Sequence, residues 1–265
     1  MVHELKSLSR ALEVLLAFSL ERPLATVDEL AHATGIPRSS LYKFLDNLER
    51  KGFVRHDPLA RAYGPGVSLF RLGRVAAEGI NLAGVASPLM RRLVDAAGES
   101  VYLSVRLGAE RVCIDIAETP HGHIKYAVKP GATSPLHAGA SGKVLLAFLP
   151  EGERAAVLRR LRLGPTAPRT ITDRAELTRR LAEIRERGWD YSEEELAVGT
   201  WAFAAPVRDP EGCPVASLAI AGPLGRPDPA RRQRLLPLLL RAVAAIEEAV
   251  WTGGRHGGRG RPAPG

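Results

Sequence analysis

The chain is 265 residues long, with 45% apolar and 25% charged residues, which are globular averages and allow one large domain or two modest ones. No run approaches the roughly 18–20 uninterrupted apolar residues of a membrane span. The first ten residues carry Glu4, Lys6 and Arg10, with no apolar stretch of the signal-peptide kind behind them. No membrane partner is therefore expected, and the reducing cytoplasm is the expected compartment. Cys113 and Cys213 read as buried free thiols, with a single bridge as the alternative.

A net charge of +8 permits an acidic partner such as nucleic acid. Its distribution weakens that argument, because residues 1–72 hold ten Lys/Arg against eight Asp/Glu. Much of the excess lies between Arg154 and Arg187 and in Arg255, Arg259 and Arg261. Arginine-rich helices of that sort read as solvated faces.

Leu5, Leu8, Leu12, Leu15, Leu16 and Phe18 recur at helical spacing, with polar residues between them, and predict an amphipathic helix ended by Pro23. Thr26-Val27-Asp28-Glu29 reads as a capping box that opens a short helix. Gly35 supplies the turn, and Pro37 suits the first turn of a third helix with Leu41, Phe44, Leu45 and Leu48 on its buried face. Two short helices across a glycine turn, after a supporting helix, make a helix-turn-helix. Its exposed face carries Arg38, Ser39, Ser40, Tyr42, Lys43 and Asn47, side chains able to meet phosphates or base edges of double-stranded DNA. An ordinary helical hairpin with a solvated face is the alternative. The segments Phe53–Arg55 and Ala62–Pro65, joined by Asp57-Pro58-Leu59-Ala60, predict a hairpin wing that brings Arg55 and Arg61 to the backbone. Thr26 completes the candidate DNA-contact set.

The run GIPRSSLYKFLDNLERKGFVRHDPLARAYGPG resembles the IclR-family segment, where Gly-Leu-Pro-Lys-Ser-Thr leads the recognition helix and Leu-Gly-Tyr-Val opens the wing. SLSRALEVLLAF is similar to the first helix of that family. The resemblance assigns DNA contact to Arg38, Ser39, Ser40, Tyr42 and Lys43.

Residues 68–84 read as an amphipathic linker helix, followed by a helix through Leu89 and Leu93 that ends at Gly98. Strands are then predicted at 100–106, 111–118 and 124–128, helices at 142–149, 154–161 and 176–187, and an antiparallel pair at 202–207 and 215–221. A closing helix covers 235–250. The fold class is mixed, an α-helical winged helix-turn-helix over 1–67 and an α+β domain with an antiparallel sheet over 85–251. Residues 252–265 form a Gly/Arg/Pro tail read as disordered. GATSPLHAGASGKVLLAFLP and the run from Leu181 to Pro223 resemble the effector-binding, GAF-like domain of the same family, and the likeness covers about residues 7 to 250.

Within GASGKV, His137 and Val144 stand where a phosphate-binding loop needs glycine and Ser/Thr, so no phosphate role is assigned. His121 and His123 lack a third metal ligand at a recognisable spacing, and Ser141, His137 and Asp190 lack a nucleophile elbow. No cofactor, metal or catalytic role is expected. Enzyme and protein-binding winged helix are the rival readings. By resemblance, Ala138, Gly139, Ala140 and Glu195 line or close an effector pocket. Relatives that sense small carboxylates carry serines or cysteine where this chain has Ala202, Ala219 and Ala221. That departure argues against a glyoxylate-like effector, and Tyr102, Leu103, Trp201 and Phe203 suit a larger, apolar or aromatic small organic molecule or, equally, a plain core. The expected assembly is a homodimer, or a dimer of dimers, on a pseudopalindromic operator.

Overall fold

The structure, a computed structural model, describes residues 5–19, 22–79, 82–120, 128–225 and 229–253. They fall into two units, Met1–Ile80 and Asn81–Gly265. The first contains α1 (Lys6–Leu16), α2 (Val27–Thr34), α3 (Arg38–Arg50), β1 (Val54–Asp57), β2 (Ala62–Pro65) and α4 (Val67–Gly79). The capping box forms as its spacing requires: the Thr26 hydroxyl accepts the Glu29 N–H at 3.3 Å, and the Glu29 carboxylate accepts the Thr26 N–H at 2.7 Å. The Thr26 N–H and the Thr26 hydroxyl, the latter at 2.9 Å, both donate to the Glu29 carboxylate and hold it below its ordinary value. Gly35 ends α2 at φ +67°, a left-handed turn that glycine adopts at no steric cost. Pro37 then caps α3, and Leu30, Leu41 and Leu45 close a fully buried core with Val14. β1 and β2 pair antiparallel, and Ala25, ahead of α2, forms a separate antiparallel bridge to Tyr63.

The leucine row of α1 is not its buried face. Val14 is fully buried, whereas Leu5, Leu8, Leu12 and Leu16 are 68%, 56%, 49% and 76% exposed. At 100° per residue those four leucines lie on the side opposite Val14, and only one side of α1 can meet α2 and α3. The row announces the helix, which forms as expected, but its leucines do not face α2 and α3.

The second unit contains α5 (Leu82–Ala97), β3 (Ser100–Leu107), β4 (Glu110–Ala117), β5 (Thr133–Pro135), α6 (Gly139–Ala147), α7 (Glu151–Arg160), α8 (Arg174–Arg187), β6 (Asp190–Glu193), β7 (Thr200–Arg208), β8 (Pro214–Pro223) and α9 (Pro229–Gly253). Its sheet is antiparallel throughout, in the order β5-β4-β3-β8-β7-β6. Period-two alternation gives the sheet two apolar faces. Val101, Leu103, Phe203, Leu218 and Ile220 pack with residues of α5 and α9; Tyr102, Cys113, Ala204 and Ala219 pack with residues of α6, α7 and α8.

Several boundaries move. Of the segment read as one linker over 68–84, residues 68–79 are helical in α4 and 82–84 are helical in α5, while residues 80 and 81 lie outside the described residues. α4 is tied to the first unit at its start, where the Ser68 hydroxyl donates to the Lys51 carbonyl. β5 and β6 were not predicted: β5 has three residues with a proline, and the inward positions of β6 are the polar Asp190 and Ser192. α9 runs through Gly253, past the predicted start of the tail. The strand predicted at 124–128 lies outside the described residues except for Val128, as do His121, His123 and residues 254–265. Cys113 is buried and Cys213 half-buried, both as free thiols, so the bridge does not form. No helix among the described residues is long and apolar enough to cross a membrane.

Candidate DNA-contact face and effector cavity

α3 owes its orientation to Leu41 and Leu45, whose burial turns the intervening residues outward. Arg38, Ser39, Tyr42, Lys43 and Asn47 are exposed and Ser40 is half-buried. Arg38 forms an ion pair with Asp28 of α2, both side chains being more than half exposed. The Asn47 amide donates to the Lys43 carbonyl at 2.8 Å and accepts from Arg50 at 3.2 Å, so its polar atoms are engaged within the helix. Asp46, which the sequence reading passed over, shares this exposed surface and pairs with Arg50 at 2.7 Å. The Thr26 hydroxyl is committed to the cap. Arg55 and Arg61 flank the turn of the hairpin, where the Asp57 carboxylate accepts the N–H groups of Leu59 and Ala60. Leu59 at the tip is 99% exposed.

In the second unit, sheet alternation decides which predicted pocket residues meet. Register sets Tyr102 opposite Ala219 and Ala202 opposite Ala221. With Ala138, Gly139, Ala140 and Trp201 they line a cavity of about 580 Å³, including its open mouth. Leu103 and Phe203, one residue out of phase, belong to the opposite core and do not line it, whereas Trp201, in the same core, near the start of β7, still reaches it. Glu195 does not line it either: its carboxylate accepts from Lys143 at 2.6 Å. Lys143 also lies 3.1 Å from Asp190, and both side chains are fully buried. Burial pushes the Glu195 carboxyl up, against the pull of Lys143.

The GASGKV run is thereby explained as packing. A Cβ at Gly142 would sit 2.5 Å from the Leu136 carbonyl oxygen, so only glycine allows that approach, and Lys143 turns inward to two carboxylates. The residues of the imagined triad do not cooperate. The His137 Nε2 contacts the Gly164 carbonyl at 2.9 Å, and Asp190 is held by Lys143, Arg180 and Arg187. Among the described residues no group of His, Cys, Asp and Glu is arranged to hold a metal ion.

Sequence reasoning missed the polar part of the cavity, to which Arg111, Ser141, Ser192 and Thr200 contribute. The Ser192 hydroxyl accepts the Ala140 N–H at 3.0 Å and fixes the first turn of α6, whose N-cap Ala138 has no side-chain cap. Arg111 is 5% exposed and donates from Nε to Ser134 at 2.7 Å and from Nη1 to Ser104 at 2.9 Å. Burial lowers its pKa, opposed by Cys113 and Tyr102. Its signal was available in the alternation of β4, where Arg111 and Cys113 share the inward phase.

Comparison with known proteins bears on both halves. Residues 7–58 match the family model for the IclR helix-turn-helix domain, and residues 75–248 match that for the bacterial transcriptional regulator IclR C-terminal domain. The chain is 32% identical to the HTH-type transcriptional regulator BhcR of Paracoccus denitrificans, over 91% of this chain and 86% of that protein. It is 29% identical to the transcriptional repressor IclR of Escherichia coli, over 84% and 82% respectively. An IclR transcriptional regulator from Alicyclobacillus acidocaldarius superposes with a TM-score of 0.80 at 28% identity, covering 92% of this chain and 98% of that one. That family consists of transcriptional regulators, not enzymes. With a winged helix-turn-helix in the first unit and an α+β sensing fold in the second, both matched in order, the chain belongs to the IclR family of helix-turn-helix transcriptional regulators.

Proposed function

We propose that this chain is a cytoplasmic, effector-responsive regulator that binds a pseudopalindromic operator as a homodimer or dimer of dimers. The observation that carries the reading is the pairing of an outward polar α3 and wing in one unit with an alanine-lined cavity in the other. Arg38, Ser39, Ser40, Tyr42 and Lys43 contact the major groove, Arg55 and Arg61 meet phosphates from the wing, and Thr26 and Asn47 lie at the edge of that surface. The cavity takes a small organic molecule with an apolar or aromatic body against Tyr102, Trp201 and the alanines. Ligand occupancy biases the DNA-binding pair through the 68–84 segment, by a difference in affinity between two states.

A mobility shift on DNA upstream of the chain's own gene tests it. Salt-sensitive binding at nanomolar to micromolar protein is expected, and its absence overturns the reading. Replacing Arg38 and Lys43 together by alanine should abolish specific binding while the melting transition stays intact, because both side chains are exposed. Unchanged affinity would remove α3 from the interface.

A further inference from the structure

The cavity contains a cation without a counter-ion. Arg111 is only 5% exposed, and its described partners are the neutral hydroxyls of Ser104 and Ser134. Among the described residues no carboxylate pairs with it, and its Nη2 has no acceptor. Hydroxyl groups orient a guanidinium but do not neutralise it, and a buried charge is costly unless paired. The other buried cation of this unit shows the contrast, since Lys143 sits between two carboxylates. Arg111 differs in lining a cavity that a ligand can enter.

We propose that the cavity takes a carboxylate with an apolar body, and that Arg111 is the residue that selects for its charge. This rests on the reading of that cavity as the effector site. Ser104 and Ser134 lock the plane of the guanidinium through Nη1 and Nε, leaving Nη2 for the incoming anion. Ala202, Ala219 and Ala221 offer methyl groups where a small hydrophilic acid needs hydroxyl partners. The charge is therefore recognised at one point and the body by apolar contact. A phosphate ester fits less well, because no second Lys or Arg among the described residues lines the cavity to balance its second charge.

Benzoate and benzamide, which share shape and differ in charge, serve as probes on the full chain by thermal shift and calorimetry. Benzoate is expected to raise the melting temperature saturably and to bind at least about tenfold more tightly than benzamide. Arg111→Met should erase that difference. Equal stabilisation by acid and amide, no stabilisation by benzoate, or an acid preference that survives in Arg111→Met each overturns the proposal. The wild-type comparison stands even if the variant fails to fold. Operator binding measured alongside separates the two readings: DNA binding without acid-selective stabilisation removes the anion site and leaves the regulator. Acid-selective stabilisation without DNA binding does the reverse.

Discussion

Lys143 carries its ammonium into a buried site and meets Glu195 and Asp190 there, while Arg180 and Arg187 neutralise Asp190 from the other side. Removing the central cation leaves two buried carboxylates facing each other across its place. Lys143→Met is expected to cost about 3–5 kcal/mol in urea unfolding, the usual penalty for breaking a buried pair from one side. The penalty has a sign in pH. Burial already raises the Glu195 carboxyl above its ordinary value, so its charged form is less favourable folded than unfolded. That disadvantage is absent where the group is protonated in both states, and it grows as pH rises through the folded pKa. Without Lys143 the folded value rises further, so the variant should lose less at pH 5 than at pH 7.5. An equal loss at both would mean that Glu195 stays charged by other means. Cys113 gives a second residue-scale prediction. It is fully buried beside Arg111, and burial pushes its thiol up. Iodoacetamide at mild alkaline pH should label the half-buried Cys213 in the native chain and reach Cys113 only after unfolding.

At the scale of elements, α2 illustrates what sequence makes legible. Thr26 and Glu29 are three residues apart, and that spacing alone specifies two hydrogen bonds and a helix start. Thr26→Ala should therefore lower stability by about 1 kcal/mol, with Thr26→Ser restoring most of it, as measured by denaturant midpoints. Local rules of this kind also announced α3, the β1–β2 hairpin and the β7–β8 pair, whose turns and alternation are carried by adjacent residues. What stayed hidden depends on partners distant in sequence. β6 reads as loop because Asp190 and Ser192 are polar, and they are inward only because Lys143 and the Ala140 N–H lie 47 and 52 residues earlier in the chain. Arg111 is the same case, its burial made tolerable by Ser104 on β3 and Ser134 on β5. Leu103 and Phe203 show the converse error: they are adjacent in sequence to cavity residues and on the wrong face of the sheet.

For the whole molecule, the exposed leucines of α1 matter more than its net charge. Leu5, Leu8, Leu12 and Leu16 form one apolar row, and Val67, Phe70, Leu72 and Val75 of α4 are also 46–75% exposed. If the chain binds a twofold operator as proposed, a second copy of the first unit is the occupant this row would take, because two recognition helices would then sit about 34–36 Å apart, one helical turn of DNA. Apolar patches of this extent on a protein surface mark association sites. Leu8→Glu with Leu12→Glu places charge in the row without touching Val14, Leu30 or Leu41, so each chain should keep its fold and its melting transition. Sedimentation should then find a smaller assembly than the wild type. Operator affinity should fall about a hundredfold or more, since the second half-site contact becomes a separate bimolecular event. The dependence on salt should weaken with it, because fewer phosphates are neutralised per bound particle. Residues 1–72 carry little net charge, with ten cations against eight anions, so in the proposed dimer the gain in affinity is expected from placing two such faces at once. If the double variant sediments as the wild type does and binds the operator undiminished, the α1 row is not the dimer contact, and that surface must be sought elsewhere.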